Sequence, residues 1–568
     1  MPKIVKQLCC VFLALFVALS VLGCSPKKSG KKSKKKSTVQ TESVGSVESN
    51  SSEDAPDRFD GEEPDDFEND NTDISEEDDE IHKAVSLTVL NNSTPLQNNF
   101  LGFNAVYHGF AYLPVNSAHK TSHTEKTAQA EFNMAKESGI NIARTYFSYD
   151  WAWNTETKSF DYDSERMIAF YKWCGEMKKR NIEVLLNHWY THRQLFEKQY
   201  SYGKYYDRTP VAAFAGEGEY NEQKTVNNFA EFAVTVMEKL YAKGYSNVRY
   251  LSLATEPGSG ASLEQAGPAA EQFLTYANAT HLLLKQRGLR NRITIMGPNE
   301  ATAEEVENVP GWLMRAVAAR DKLGAVDLYS SHAYVATTIE MDTFEFWDDN
   351  IKQKLEGFAP GKDRFIFDEY GNSGDNMMEH RKANAIYGTQ IAMNQMAVLT
   401  NGVRSSFMWT LADQQWPDVI GSAKRDNWVN GVHMWGLMPN VIVSNVPHPG
   451  FYCFSLMSRY MGVQGSKIYG ADYGEYNGES VYAALSQMPD GNISIAVLNA
   501  NMFSAKVQLN LQKSLGRTLY RFEFDPNEIQ PTQVYQNIQP SARIVNCKNG
   551  FTDVVPGLGV TVYTTKKP

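Results

Sequence analysis

The chain has 568 residues, of which 42% are hydrophobic and 12% aromatic, and a formal net charge of −11. That is more than one ordinary domain requires, and enough apolar material for a large core. The charge is concentrated near the start: seven lysines lie between Lys27 and Lys36, and sixteen acids between Glu53 and Glu80. With these runs set aside the remainder is close to neutral, which excludes the basic field of a nucleic-acid binder.

Lys3 and Lys6 precede an apolar run from Leu8 to Leu22, followed by Gly23-Cys24. This resembles a bacterial lipoprotein signal, with Val21-Leu22-Gly23-Cys24 as the lipobox. The resemblance implies that residues 1–23 are removed and that Cys24 carries a lipid. The expected location is the bacterial cell envelope, anchored to the outer membrane or cell surface. The run is too short for a spanning helix. Residues 24–80, lysine- and serine-rich and then acidic, cannot bury enough apolar surface to fold and read as a tether. Beyond it remain Cys174, Cys453 and Cys547, odd in number and without CxxC spacing, so no zinc site or disulfide framework is legible. A single bridge stays open, beside the alternative of small buried hydrophobes.

Folded sequence starts near Ile81. Residues 81–97 hold one strand, Ser86–Leu90, with no helix after it, and it is expected to join a C-terminal sheet. Strand and helix signals then alternate. The strand candidates are Phe100–Val106, Ile140–Phe147, Ile182–His188, Tyr250–Glu256, Arg292–Gly297, Val326–His332, Arg364–Glu369 and Val403–Thr410. Helical patterns fall between them at Thr127–Ser138, Glu165–Arg180, Val226–Lys243, Ala269–Arg287, Thr302–Leu323 and Met378–Leu399. Strict alternation argues for a parallel sheet with right-handed crossovers, and eight units over residues 98–450 fit a (β/α)8 TIM barrel. From 451 to 568, short strands separated by Gly, Pro and Asn turns read as an antiparallel β-sandwich domain. The fold class is therefore α/β, a barrel followed by a sandwich.

Two of the barrel strands end in a glutamate followed by a breaker: Thr255-Glu256-Pro257 and Glu369-Tyr370-Gly371. Strand C-termini are where a barrel collects its chemistry, and two carboxylates facing each other there suffice to break a glycosidic bond. The alternative for each is an ordinary surface carboxylate.

This pattern resembles clan A of the glycoside hydrolases, retaining (β/α)8 enzymes with an acid/base at the end of strand four and a nucleophile at the end of strand seven. Met296-Gly297-Pro298, Ser331-His332-Ala333-Tyr334, Gly431-Val432-His433-Met434-Trp435-Gly436-Leu437 and Pro449-Gly450-Phe451-Tyr452-Cys453-Phe454 look most like its β-xylosidase/α-L-iduronidase family. The resemblance implies Glu256 as acid/base and Glu369 as nucleophile. It also implies Arg144 and Tyr334 as groups that hold the nucleophile charged, and Trp409 as a platform under the reacting sugar. Arg144 has the alternative of a structural ion pair. The clan has asparagine before its acid/base; this chain has Thr255, a shorter group with one hydroxyl, so the contact with the sugar at that position is altered.

Asn299-Glu300 is a literal Asn-Glu after strand five, but it opens an acidic helix start, and capping accounts for Glu300. His188 and His192 have i,i+4 spacing without the glutamate of a zinc-protease motif. His188 and His332 end strands and read as sugar-hydroxyl contacts, with a structural histidine as the alternative. Tyr107, Trp189, Trp416, Trp428 and Trp435 are platform or core candidates. No catalytic metal or cofactor is expected, and no nucleophile elbow, P-loop or dinucleotide fingerprint is present. The expected function is a lipid-anchored retaining β-glycosidase acting on oligo- or polysaccharides. The alternative is a weakened or inactive glycan-binding protein on the same scaffold.

Overall fold

The computed structural model describes residues 84–108, 112, 124–188, 214, 221–257, 263–301, 310–335, 343–372, 385–415, 428–429, 432–433, 436–439, 446–476, 479–529, 540–547 and 549–568. The lipidation and tether expectations, and the candidates Trp189, His192, Trp416 and Trp435, lie outside them. No helix among the described residues is long and apolar enough to cross a membrane.

Two short strands come first, β1 (Val85–Val89) and β2 (Gln97–Phe100). Eight βα units follow: β3 (Phe103–Val106) and α1 (Glu125–Glu137), β4 (Ile142–Phe147) and α2 (Glu165–Lys179), β5 (Glu183–His188) and α3 (Glu222–Ala242), β6 (Val248–Ser252) and α4 (Leu263–Gln286). The second half continues with β7 (Thr294–Glu300) and α5 (Trp312–Arg320), β8 (Leu328–Val335) and α6 (Thr343–Leu355), β9 (Phe365–Asn372) and α7 (Ile386–Asn401), β10 (Ser406–Met408) and α8 (Pro449–Tyr460). Strands β3 to β10 pair in parallel and close on themselves, β10 lying beside β3. This is a (β/α)8 barrel, and its eight strands are those expected from the sequence.

Alternation decides which side chains enter the barrel. Leu101, Ile142, Leu185, Tyr250, Met296, Leu328, Ile366 and Phe407, about one from each strand, form a separate apolar plug. The intervening residues face outward and join the much larger core between strands and helices, which includes Phe147, Phe232, Phe273, Trp347 and Phe367. With the lower barrel filled by apolar groups, polar side chains on the inner face collect above it, toward the strand C-termini.

Beyond α8 the chain forms β11 (Ser466–Gly470), β12 (Glu479–Gln487), β13 (Ile493–Asn499), β14 (Ala505–Leu511), β15 (Arg517–Phe524), β16 (Ala542–Cys547), β17 (Gly550–Val555) and β18 (Val560–Thr564). The larger sheet runs β2-β11-β12-β13-β18-β15-β16 and the smaller β1-β14-β17. Their facing apolar side chains, among them Leu87, Val89, Val497, Val507 and Tyr563, make a second core. Strand β1 pairs in parallel with β14, and β2 pairs antiparallel with β11. The segment before the barrel, residues 85–100, therefore contributes to both sheets of the sandwich, one more than expected, and the expected boundary at 97/98 falls inside β2. Strand β17 was not legible in the sequence, because its pattern leaves most of its residues half-exposed or exposed. The expected boundary at 450/451 falls inside α8, which packs against α7 as the last helix of the barrel. Cys174, Cys453 and Cys547 are free and buried.

Candidate functional site

Glu369 lies on β9 at the level of the polar layer. Ser331 pairs with Phe367 and the next residue, His332, pairs with Glu369, so Asp368 is an extra residue on this strand. The other edge agrees: Phe367 and Tyr370 of β9 pair with Ser406 and Met408 of β10. This bulge breaks the alternation and turns two successive acids, Asp368 and Glu369, toward the barrel axis. A second bulge lies on β7, where Ser330 and Ser331 pair with Pro298 and Glu300 and skip Asn299. Asn299 sits at φ +60°, a conformation asparagine adopts readily.

Glu369 accepts hydrogen bonds at Oε1 from Arg144 Nη1 (2.5 Å) and Tyr146 Oη (2.9 Å), and at Oε2 from Tyr334 Oη (2.6 Å). Its side chain is 5% exposed. Burial alone would raise its carboxyl. The charges of His332 and Arg144 and the hydrogen bonds from Tyr334 and Arg144 overcome that and hold it at about 2. Tyr146 and Tyr334 are pushed well above the ordinary tyrosine value, by burial first and then by the Glu369 charge, so both stay protonated donors.

Arg144 is fully buried. Its second amino group donates to Asn187 Oδ1 (3.1 Å) and Asn299 Oδ1 (3.3 Å). The two amides fix the guanidinium plane beneath Glu369. Asn187 in turn donates to Thr255 Oγ1 (2.6 Å), and Thr255 donates to the His188 carbonyl (2.9 Å). The Thr255 hydroxyl thus ties the end of β6 to the end of β5. Its proton is given to a backbone carbonyl inside the protein.

Glu256 lies four residues past the end of β6 rather than within the strand, at φ +48°. A non-glycine residue in this left-handed region costs roughly 1 kcal/mol, and such strain gathers at functional sites. Its side chain is 34% exposed, against 5% for Glu369. His332 Nδ1 lies 3.0 Å from Glu256 Oε1 and 3.4 Å from Glu369 Oε2, so one imidazole bridges the pair. Burial would lower the His332 value, but Glu369, Asp368 and Glu256 together raise it. Sequence reasoning placed His332 against a sugar; the structure places it between the two carboxylates.

Glu256, His332 and Glu369 each present a ligand-type atom within 4.8 Å of the others. The Arg144 guanidinium already supplies Glu369 with its counter-charge, so the group reads as a compensated acid pair and not as a metal centre.

The chain shares its fold with glycoside hydrolases. The catalytic domain of GH30 xylanase C from Talaromyces cellulolyticus superposes with a TM-score of 0.56 at 11% identity, covering 85% of this chain and all of that one. A GH51 arabinofuranosidase from Xanthomonas axonopodis pv. citri gives 0.54 at 12%, over 85% and 100% of the two chains. A GH39 enzyme from the same organism gives 0.53 at 11%, over 87% and 99%. At such identities the likeness is one of architecture. No protein-family profile matches the chain, and no curated protein sequence does.

His188 is not at the mouth. It follows Leu185 and Asn187 by an odd step, so it faces the helices and packs against Phe147, Phe229 and Phe232. Its inward neighbour Asn187 holds the place assigned to it, and counting by twos from Leu185 would have found this. Trp409 is half-buried above the site, edge-on to His108 (5.7 Å) and Tyr146 (6.2 Å). His108 stacks on Tyr146, and burial together with Arg144 lowers it to about 3, so it is neutral. Neither His108 nor Tyr146 was singled out by the sequence, since neither stands in a distinguishing motif. Tyr107 is core: it packs on Trp173 and donates to Glu131.

Glu300 faces away from the axis. Its carboxylate accepts the Leu313 (3.1 Å) and Met314 (3.4 Å) amides, capping α5, whose N-cap residue Gly311 has no side chain to do so. Capping was the correct reading, although the helix served begins at Trp312. Glu300→Ala is expected to destabilise the fold by about 1–2 kcal/mol, measured by urea unfolding.

Proposed function

We propose that this protein is a retaining glycoside hydrolase that cleaves β-glycosidic bonds by double displacement, with Glu369 as nucleophile and Glu256 as acid/base. The observation that carries this reading is the pair itself. Two carboxylates from distant parts of the chain have oxygens within 4.8 Å at one end of the barrel, in keeping with the gap of roughly 5–5.5 Å that double displacement uses. Their surroundings divide the roles. Glu369 is buried, charged and held by three donors, as an attacking carboxylate must be. Glu256 is the more exposed, as a group that must meet a leaving oxygen and later a water has to be. Trp409 offers a flat apolar face to a sugar ring, and the likeness to polysaccharide-acting folds supports an oligo- or polysaccharide substrate. The Ser331-to-Tyr334 segment favours the β-xylosidase/α-L-iduronidase type within the clan.

Hydrolysis of a panel of aryl β-glycosides and β-glycans tests the reading, with Glu256→Ala and Glu369→Ala as controls. Glu256→Ala should lower kcat/KM on poor leaving groups about 10²–10⁴-fold and spare activated ones far more. A wild type no faster than both variants on every sugar would leave a glycan-binding protein instead.

The reading includes a lipid anchor at Cys24, supported by the basic start, the apolar run and the lipobox spacing. Cells fed labelled palmitate should incorporate it into the wild type, and Cys24→Ser should lose the label and partition into the aqueous phase of a detergent separation.

A further inference from the structure

Asp368 has no part in the double displacement described above, yet it is a fully buried carboxylate one residue from the nucleophile. Its Oδ2 accepts from the Asn299 amide. Its Oδ1 has no hydrogen-bond partner among the described residues, and neither does His332 Nε2. These two atoms face each other at 3.6 Å. Catalytic hydrogen bonds are often this long in the absence of substrate and tighten when it binds.

The result is a line of three groups: Asp368, the His332 ring, and Glu256. The bulge at Asp368 creates it, since a regular strand would point Asp368 and Glu369 to opposite faces. We propose that Asp368 is a positioning residue that fixes the proton of His332 on Nε2, so that Nδ1 shares the working proton of Glu256. The inference rests on Glu256 being the acid/base.

The proton balance is simple. At rest the Glu256 carboxyl hydrogen-bonds to Nδ1, or the proton sits on Nδ1 and Glu256 accepts it. In glycosylation this proton passes to the leaving oxygen as Glu369 bonds to the anomeric carbon, and Glu256 is left as a carboxylate. In deglycosylation a water gives the proton back to Glu256 as its oxygen takes the anomeric carbon and Glu369 departs. Throughout, Nε2–H remains aimed at Asp368. An unfixed ring could carry its only proton on Nδ1, where it donates to Glu256 or Glu369 instead of accepting from Glu256.

Among the described residues, the charged and titratable groups against His332 are Glu256 beyond β6, Tyr334 on β8, and Asp368 and Glu369 on β9, with Arg144 and Tyr146 of β4 bonded to Glu369 behind them. Glu369 is held by its own donors, so removing the Asp368 charge acts on the His332–Glu256 pair. Loss of a nearby negative charge weakens proton binding there, and the alkaline limb of kcat/KM moves to lower pH.

The test is Asp368→Asn on the full-length enzyme. The alkaline limb should fall by about one pH unit. The kcat/KM on an aryl glycoside with a poor leaving group should drop tenfold or more, while kcat/KM on a dinitrophenyl glycoside, whose departure needs no protonation, stays within about twofold. Coincident pH profiles, or equal losses on both substrates, overturn the proposal. A second measurement needs no turnover: nitrogen NMR of histidine-labelled wild type, with the His332 signal assigned by its absence in His332→Gln. Nε2 should stay protonated from pH 5 to 8; a ring protonated on Nδ1 alone in that range overturns the proposal. If no glycoside is hydrolysed at all, the functional reading fails on its own while the NMR result still decides the role of Asp368.

Discussion

Glu369→Ala is expected to lower turnover on every glycoside substrate by about 10⁴-fold or more. No other carboxylate can take its place. Asp368 is turned toward Asn299 and His332, and Glu256 approaches from across the mouth. The substitution also leaves the Arg144 charge buried without its carboxylate partner, which costs about 3–5 kcal/mol. Glu369→Gln keeps the volume and serves as the folded control; it should be equally inactive and nearer to wild type in melting temperature. Azide should enter the space opened by Glu369→Ala and restore cleavage of activated substrates, giving a glycosyl azide of inverted configuration. Wild-type rates in Glu369→Gln would end the assignment.

Arg144→Met should have the second largest effect, on stability and on pH dependence together. The arginine is fully buried and joins Glu369, Asn187 and Asn299. Breaking such a pair from one side costs about 3–5 kcal/mol, because the remaining charge is stranded. The Glu369 value is depressed in the folded state to about 2. Its contribution to stability is therefore present above the unfolded carboxylate value, near 4.3, and is lost as the pH falls from there toward 2. In Arg144→Met the folded value rises, so less stability is gained near neutrality. The acid limb of kcat/KM, which follows protonation of the nucleophile, moves up into the measurable range. Urea unfolding at pH 7 and a pH–rate profile check both parts. An acid limb unmoved by the substitution would show that Arg144 does not hold the charge.

Much of this was legible in the sequence for one physical reason. Strands buried on both faces read as apolar runs, and eight such runs alternating with helical patterns have few other ways to close. Glu256, Glu369 and His332 could be chosen because they stand at the ends of those runs, whereas Arg144, inside its strand, and Tyr334 were implied by the family resemblance alone. What stayed hidden depends on register. Each bulge adds one residue and reverses the facing of its neighbours, and nothing in Phe367-Asp368-Glu369 or Pro298-Asn299-Glu300 announces that. The inward facing of Asp368 and Asn299 appears only once the partner strands are paired. His188 was misassigned for a related reason: its place at a strand end was plain, but which face it took required counting from the plug. The limits of α8 were missed because a proline-glycine start followed by aromatic residues does not signal a helix before its packing against α7 is known.

The pairing of β1 with β14 has a consequence for synthesis. Asn91 and Lys513, which exchange hydrogen bonds at the end of this pairing, are 422 positions apart. At about 5–20 residues per second, the opening strands leave the ribosome tens of seconds before their partners exist. During that interval β1 presents Val85, Leu87 and Val89 uncovered, beside a nascent barrel that can already close. A chaperone that shields exposed strand edges has its natural substrate there, and a version of the gene shortened to end after α8 would leave that edge open for good.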